Sequence, residues 1–98
     1  NPRASGSVCD ALLATRPGAL GFALNRTNVS GAMTVSDDEA LAAVAFAFRE
    51  LKLVVEPGGA VALAALLSGA FAAHGKTVVA VLSGGNIDQA VLAQALAL

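Results

Sequence analysis

The sequence has no tryptophan, no tyrosine, a single cysteine and only 13% charged residues, and each shortage closes off a class of protein. A lone Cys9 cannot form an internal disulfide, so this is not a stapled secreted scaffold. In apolar company such a thiol packs as a small hydrophobe. A formal net charge of −1, with no basic patch and no aromatic interleaving, argues against a nucleic-acid partner. Long apolar runs are also missing. The longest uncharged stretch, residues 57–73, contains Gly58, Gly59, Ser68 and Gly69 and is closed by His74, Gly75 and Lys76. A membrane span needs about 20 predominantly apolar residues, and neither an aromatic belt nor a flanking basic cluster is present. The amino terminus carries no signal-peptide pattern. Together these absences point to a cytoplasmic protein without a membrane partner.

What is abundant is apolar surface. Hydrophobic residues make up 56% of the 98, while an ordinary domain carries roughly 25% charge, about double the share found here. A chain this short buries only about two-thirds of its unfolded surface. Its faces are therefore expected to be covered by protein outside this sequence. The irregular start at Asn1, without an initiator methionine, points the same way, to a piece of a longer chain.

In chain order, residues 8–14 read as a short apolar helical turn. Arg16-Pro17-Gly18 breaks it, and Pro17 is placed to open a second helix through Leu20, Leu24 and Val29 towards Gly31. Residues 32–35 read as extended. Ser36-Asp37-Asp38-Glu39 is a capping box: Ser36 accepts from the Glu39 N–H while Glu39 reaches back to the Ser36 N–H. The acids face the positive end of the helix, and Arg49 and Lys52 its negative end. Leu41, Val44, Ala45, Phe48 and Leu51 recur at helical spacing, predicting a helix over 36–51. The acidic run reads as this helix start, since adjacent carboxylates diverge around a helix and do not converge on a metal.

Leu53-Val54-Val55 is a second apolar run, cut off by Glu56-Pro57-Gly58-Gly59. Pro57 is placed to open a slim Ala/Gly-rich helix over 57–73 with Gly75 as its carboxyl cap. Glu56 stands alone between two apolar stretches, either as a cap with its head in water or as a carboxylate aimed into a site. His74 reads as an exposed residue at that helix end. The six residues Thr77-Val78-Val79-Ala80-Val81-Leu82 form an uncharged, β-branched run suited to a parallel strand buried on both faces. It ends in Ser83-Gly84-Gly85-Asn86, and residues 87–98 read as a helix. Strand, glycine turn and helix together place a hydroxyl and free N–H groups at the carboxyl edge of a sheet, where ligands sit. Two glycines in such a place also make an ordinary tight turn.

Three separated motifs, Thr34-Val35-Ser36-Asp37-Asp38-Glu39, then Leu51-Lys52-Leu53-Val54-Val55-Glu56-Pro57-Gly58-Gly59-Ala60, then Val81-Leu82-Ser83-Gly84-Gly85-Asn86, resemble the closing third of the pyridoxal-phosphate serine/threonine dehydratases. That family includes threonine ammonia-lyases, hydroxyaspartate ammonia-lyases and serine racemases. Cys9-Asp10-Ala11-Leu12-Leu13 with Pro17-Gly18 and Asn25-Arg26 is similar to the family's approach to this region.

The resemblance implies an α/β architecture, a partial three-layer fold with a short, mostly parallel sheet flanked by helices, as a fragment of a tryptophan-synthase-β-like fold. Residues 1–98 would be the carboxyl-terminal part of the catalytic domain, with the strand over 77–82 at its centre. It implies pyridoxal phosphate as cofactor, with Ser83 matching the serine that hydrogen-bonds the pyridine nitrogen. Gly84 and Gly85 would let the backbone pass close to the ring, and Glu56 matches an acid near the cofactor pocket. Lys52 and Asn86 match positions near an effector nucleotide in the racemase branch, but two polar residues do not predict nucleotide binding. The family's Schiff-base lysine, glycine-rich phosphate loop and carboxylate metal site precede this region. No catalytic or metal-binding residue is therefore assigned here, and the fragment alone is expected to be inactive. The implied partners are an amino-acid substrate, the remaining amino-terminal part of the enzyme, and further copies of the parent in a homodimer or larger homo-oligomer. The alternative is a small stand-alone binding or interaction module that keeps the fold remnant without the chemistry.

Overall fold

Alanine sets the spacing of this fold. The core gathers Leu41, Ala43, Val44, Ala47, Val55, Ala60, Ala64 and Ala95, and among its fully buried side chains only Leu41 and Val44 are large. Small side chains let helices approach closely, and they also leave little apolar area to bury per residue. The computed structural model describes residues 6–98. Its helices are α1 (Ala19–Asn28), α2 (Asp37–Phe46), α3 (Val61–Leu67) and α4 (Gln89–Leu96), with single 3₁₀ turns at Asp10–Leu12 and Pro57–Gly59. Helix α2 is the hub, packed against α3, α4 and the Pro57–Gly59 turn. The molecule is flat, 39 × 35 × 18 Å, so its thin dimension holds about two helix diameters.

The capping box forms as expected: the Glu39 N–H donates to Ser36 Oγ at 3.2 Å, and the Ser36 N–H donates to Glu39 Oε2 at 2.7 Å. The helix it opens changes character before its end. Beyond Phe46 the backbone widens into a π-turn, Ala47–Leu51, and stops at Lys52 with φ 59°. The Leu53 N–H closes that end on the Ala47 carbonyl at 2.9 Å. Each residue added to a turn rotates the following side chains off the buried stripe. Leu41, Val44 and Ala45 are buried, whereas Phe48 and Leu51 are exposed.

Three further expectations are corrected. The helix expected over 57–73 splits into the Pro57–Gly59 turn and α3, which ends at Leu67. Gly69, not Gly75, takes the left-handed conformation (φ 80°) just past its end, and the Phe71 N–H then folds back to the Ala65 carbonyl at 3.0 Å. Pro17 stands two residues ahead of α1, whose cap is Gly18. Helix α1 buries none of its residues and packs on no other element among the described residues.

The third correction concerns the sheet. No strand forms among the described residues, and 77–82 is neither helix nor strand. The run expected to be buried on both faces has Val79 87% and Val81 69% exposed, while Ala80 and Leu82 turn partly inward. This is the side-chain alternation of extended chain with only one face covered. A strand exists only through a hydrogen-bonded ladder with a neighbour, and this run has none within these residues. Among the described residues the architecture is thus a helical layer carrying unpaired extended segments, and the expected sheet does not form within them.

Candidate functional site

Three of the sequence motifs converge on one corner. The segment 53–56 enters it with Val55 buried, which leaves Glu56 half-buried at the start of the Pro57–Gly59 turn. Proline at the first position of that turn fixes φ where the turn needs it, and Pro57, Gly58, Gly59 and Ala60 are all buried. On one side, Gly58 faces the Asp10–Leu12 turn, 3.5 Å from the Ala11 β-carbon and the Leu12 γ-carbon to where its own β-carbon would stand. On the other side lies the turn 83–85.

The second contact is closer. The Glu56 N–H donates to the Gly84 carbonyl at 2.9 Å. A β-carbon on Gly84 would stand 2.6 Å from Glu56 Oε1, and one on Gly85 would stand 2.6 Å from the Val54 carbonyl oxygen. A β-carbon on Gly59 would meet the Gly84 oxygen at 2.8 Å and its nitrogen at 2.9 Å. Gly59 and Gly85 are therefore required where backbone crosses backbone, whereas Gly84 meets the movable end of a side chain. The Ile87 N–H returns to the Gly85 carbonyl at 2.9 Å and closes the turn.

Of the four residues singled out in the sequence, Glu56 and Gly84 are thus in direct contact, and Gly85 lies on the 53–56 segment. Ser83 stands exposed at the rim, and its hydroxyl has no hydrogen-bond partner among the described residues. It is free to meet a group outside the chain. Within the chain, the space left by the missing side chains of Gly84 and Gly85 is filled by Glu56 and by the Val54 carbonyl.

Two features went unanticipated. Gly59 packs on Gly84, and nothing in a Pro-Gly-Gly string says that its partner is a glycine far along the chain. Asp37 is more than a helix-start acid. Its carboxylate accepts the Ser7 hydroxyl at 2.5 Å and the Val8 N–H at 3.1 Å, while Ser7 Oγ accepts the Cys9 N–H at 3.0 Å. These bonds hold the Asp10–Leu12 turn against Gly58. Cys9 is buried there, and burial pushes its thiol above the ordinary range. The Ser7 hydrogen bond pulls the other way, and Asp37 and Asp10 add smaller upward pushes.

The chemistry available at this corner is limited to what these groups offer. One exposed hydroxyl can donate to or accept from a ring nitrogen, one half-buried carboxylate stands beside it, and a tightly held backbone fixes their spacing. An apolar depression of about 410 Å³ opens elsewhere, lined by Met33, Val35, Val61, Leu66, Phe71 and Val79 among others, and includes none of the four residues. Among the described residues no three His, Cys, Asp or Glu side chains gather as a metal site. No helix among them is long and apolar enough to cross a membrane. His74 lies exposed in a turn.

Comparison with known proteins places this corner in context. Residues 2–84 match the family described as pyridoxal-phosphate dependent enzyme. The chain is 42% identical over 93 residues to phenylserine dehydratase of Ralstonia pickettii, covering 94% of this chain and 28% of that protein. It is 35% identical over 94 residues to the catabolic L-threonine dehydratase TdcB of Escherichia coli K12, covering 94% and 29%. To serine racemase of Dictyostelium discoideum it is 32% identical over 97 residues, covering 97% and 30%. The chain thus spans under a third of the length of these relatives. The family match takes in the Glu56–Gly84 contact, and the chain belongs to the pyridoxal-phosphate dependent enzymes.

Proposed function

We propose that this chain is the carboxyl-terminal part of the catalytic domain of a pyridoxal-phosphate dependent lyase. Its parent would convert a β-hydroxy amino acid, such as threonine, serine or 3-hydroxyaspartate, into a 2-oxo acid and ammonia. The observation that carries this reading is the unpartnered Ser83 hydroxyl, exposed at the rim of a turn that Glu56 and Gly59 hold from behind. The names of the relatives, two dehydratases and a racemase of serine, support this substrate class.

When bound, pyridoxal phosphate supplies an electron-withdrawing ring that stabilises negative charge at the substrate α-carbon. In this reading Ser83 hydrogen-bonds the pyridine nitrogen and holds the ring in place. A hydroxyl is too weak an acid to leave its proton on that nitrogen. An aspartate there would keep the nitrogen protonated and deepen the ring's pull on electrons; the serine limits it, which favours prompt loss of the β-hydroxyl over longer-lived carbanion chemistry. Glu56 and the glycines 84 and 85 shape the ring's edge. The cofactor-anchoring lysine and the phosphate loop belong, in this proposal, to the amino-terminal remainder of the enzyme. That remainder would also cover the bare valines 79 and 81, and the parent would assemble as a homodimer or larger homo-oligomer.

The test is an assay of the full-length protein with threonine, serine, 3-hydroxyaspartate and phenylserine, following 2-oxo acid release and the absorbance of bound cofactor. Turnover of at least one of them, together with weakened cofactor binding and turnover in Ser83→Ala, is expected. A protein that neither binds the cofactor nor releases a 2-oxo acid from any of the four would overturn the proposal and favour a stand-alone interaction module.

A further inference from the structure

We infer that Glu56 is a positioning residue: its side chain is the stop against which the turn 83–85 rests, and so it sets where the Ser83 hydroxyl stands. The inference rests on the proposed contact between Ser83 and the cofactor ring.

Three observations carry it. The backbone of Glu56 is tied to the residue next to Ser83, through the N–H bond to the Gly84 carbonyl at 2.9 Å. Its carboxylate lies over the same residue, 2.6 Å from the place of a Gly84 β-carbon, and the carboxyl carbon stands 3.2 Å from it. The carboxylate accepts no hydrogen bond among the described residues, so its contact with the turn is one of shape. Gly59 also closes on the Gly84 nitrogen and oxygen with no room for a methyl group. Gly84 is therefore clamped between a flexible side chain and an unyielding backbone. Movement of the turn towards Gly59 is blocked, and movement towards Glu56 displaces the carboxylate. The exposed serine inherits its position from that clamp. Glu56 itself neither donates nor removes a proton in this role.

The difference between the two jaws makes the idea testable. A methyl group on Gly84 collides with the far end of the Glu56 side chain, which shortening Glu56 removes. A methyl group on Gly59 collides with backbone, and no change at Glu56 relieves it. The experiment uses the full-length protein with pyridoxal phosphate as the probe. The readouts are the cofactor dissociation constant, the absorbance of the bound cofactor, and thermal unfolding of the cofactor-free protein. Gly84→Ala is expected to weaken cofactor binding about tenfold, and adding Glu56→Ala to restore it to within about threefold of the starting protein. Glu56→Ala added to Gly59→Ala is expected to restore nothing. Glu56→Gln, which keeps length and shape without the charge, is expected to recover most of the affinity lost in Glu56→Ala.

Failure of the double variant to improve on Gly84→Ala, or a Glu56→Gln as impaired as Glu56→Ala, overturns the positioning role; the latter result assigns the charge a direct role instead. Ser83→Ala separates this from the underlying reading. If it leaves affinity and absorbance unchanged, the ring contact itself is wrong. If it weakens binding while the rescue fails, only the positioning role falls. Should Gly84→Ala prevent folding of the cofactor-free protein, the comparison of Glu56→Ala with Glu56→Gln decides alone.

Discussion

Gly59 and Gly84 cross so closely that a β-carbon on the first would stand 2.8 Å from the carbonyl oxygen of the second. Two turns from distant parts of the chain are thereby locked at backbone separation. This crossing, more than any side-chain contact, brings the Glu56 motif to the Ser83 motif.

The neighbouring glycine offers a control. Gly58→Ala would place its methyl 3.5 Å from Ala11 and Leu12, an ordinary contact. Gly59→Ala is expected to destabilise the protein by about 2 kcal/mol, within the usual range for overpacking. Gly58→Ala is expected to change stability by less than about 0.5 kcal/mol, because the lost freedom of the unfolded chain offsets any small strain. Urea unfolding of the two variants checks this, and equal destabilisation would contradict the crossing.

The elements legible in the sequence are those decided within a few residues. The capping box needs only Ser36 and Glu39 three apart, and it forms. The run 77–82 needed a partner strand, so its composition announced a strand that these residues alone do not pair. Phe48 and Leu51 fit a 3.6-residue stripe, but nothing in their spacing announces the π-turn that carries them outward. Gly75 reads as the end of the Ala-rich helix, but Gly69 also adopts positive φ and, standing nearer, stops the helix first. At the site, residues 56 and 83–85 were visible as separate motifs. Their contact was not, because it joins backbone atoms nearly thirty residues apart and leaves no mark beyond a few glycines.

The capping box should behave as a coupled pair. Ser36→Ala is expected to cost about 1 kcal/mol, and Glu39→Ala a smaller amount. Together they should cost less than their sum, since each removes part of one reciprocal arrangement. Strict additivity in a double-mutant cycle by thermal unfolding would show that the two hydrogen bonds act independently.

Lys52 holds a left-handed conformation without being glycine, a cost of about 1 kcal/mol for a side chain with a β-carbon. Its Nζ donates to the Arg49 carbonyl at 2.5 Å, an exposed bond worth less than that cost. Lys52→Gly is therefore expected to stabilise the protein by about 0.5 kcal/mol. Lys52→Val is expected to destabilise it by more than about 1 kcal/mol, because β-branched residues tolerate positive φ worst. The order of the two unfolding midpoints is the check, and Val at or above Gly would refute the conformational argument.

Cys9 links the amino-terminal turn to alkaline stability. Burial holds its thiol above the ordinary 9.0, so the folded state binds that proton more tightly than the unfolded chain does. For a raised acid the stabilising contribution is complete below the unfolded value and fades as pH climbs through the folded one. Stability is thus expected to fall above about pH 9, and Cys9→Ala to flatten that fall. Asp37 governs access to the same thiol, because its carboxylate anchors Ser7 and Val8 beside Cys9. Asp37→Ala removes both bonds and a charge that helps keep the thiol protonated. Release of the segment exposes the thiol, so a thiol reagent at about pH 8 should modify Cys9 about tenfold faster in this variant. An unchanged rate would mean that the Gly58 contact with Ala11 and Leu12 holds the turn in place without help from Asp37.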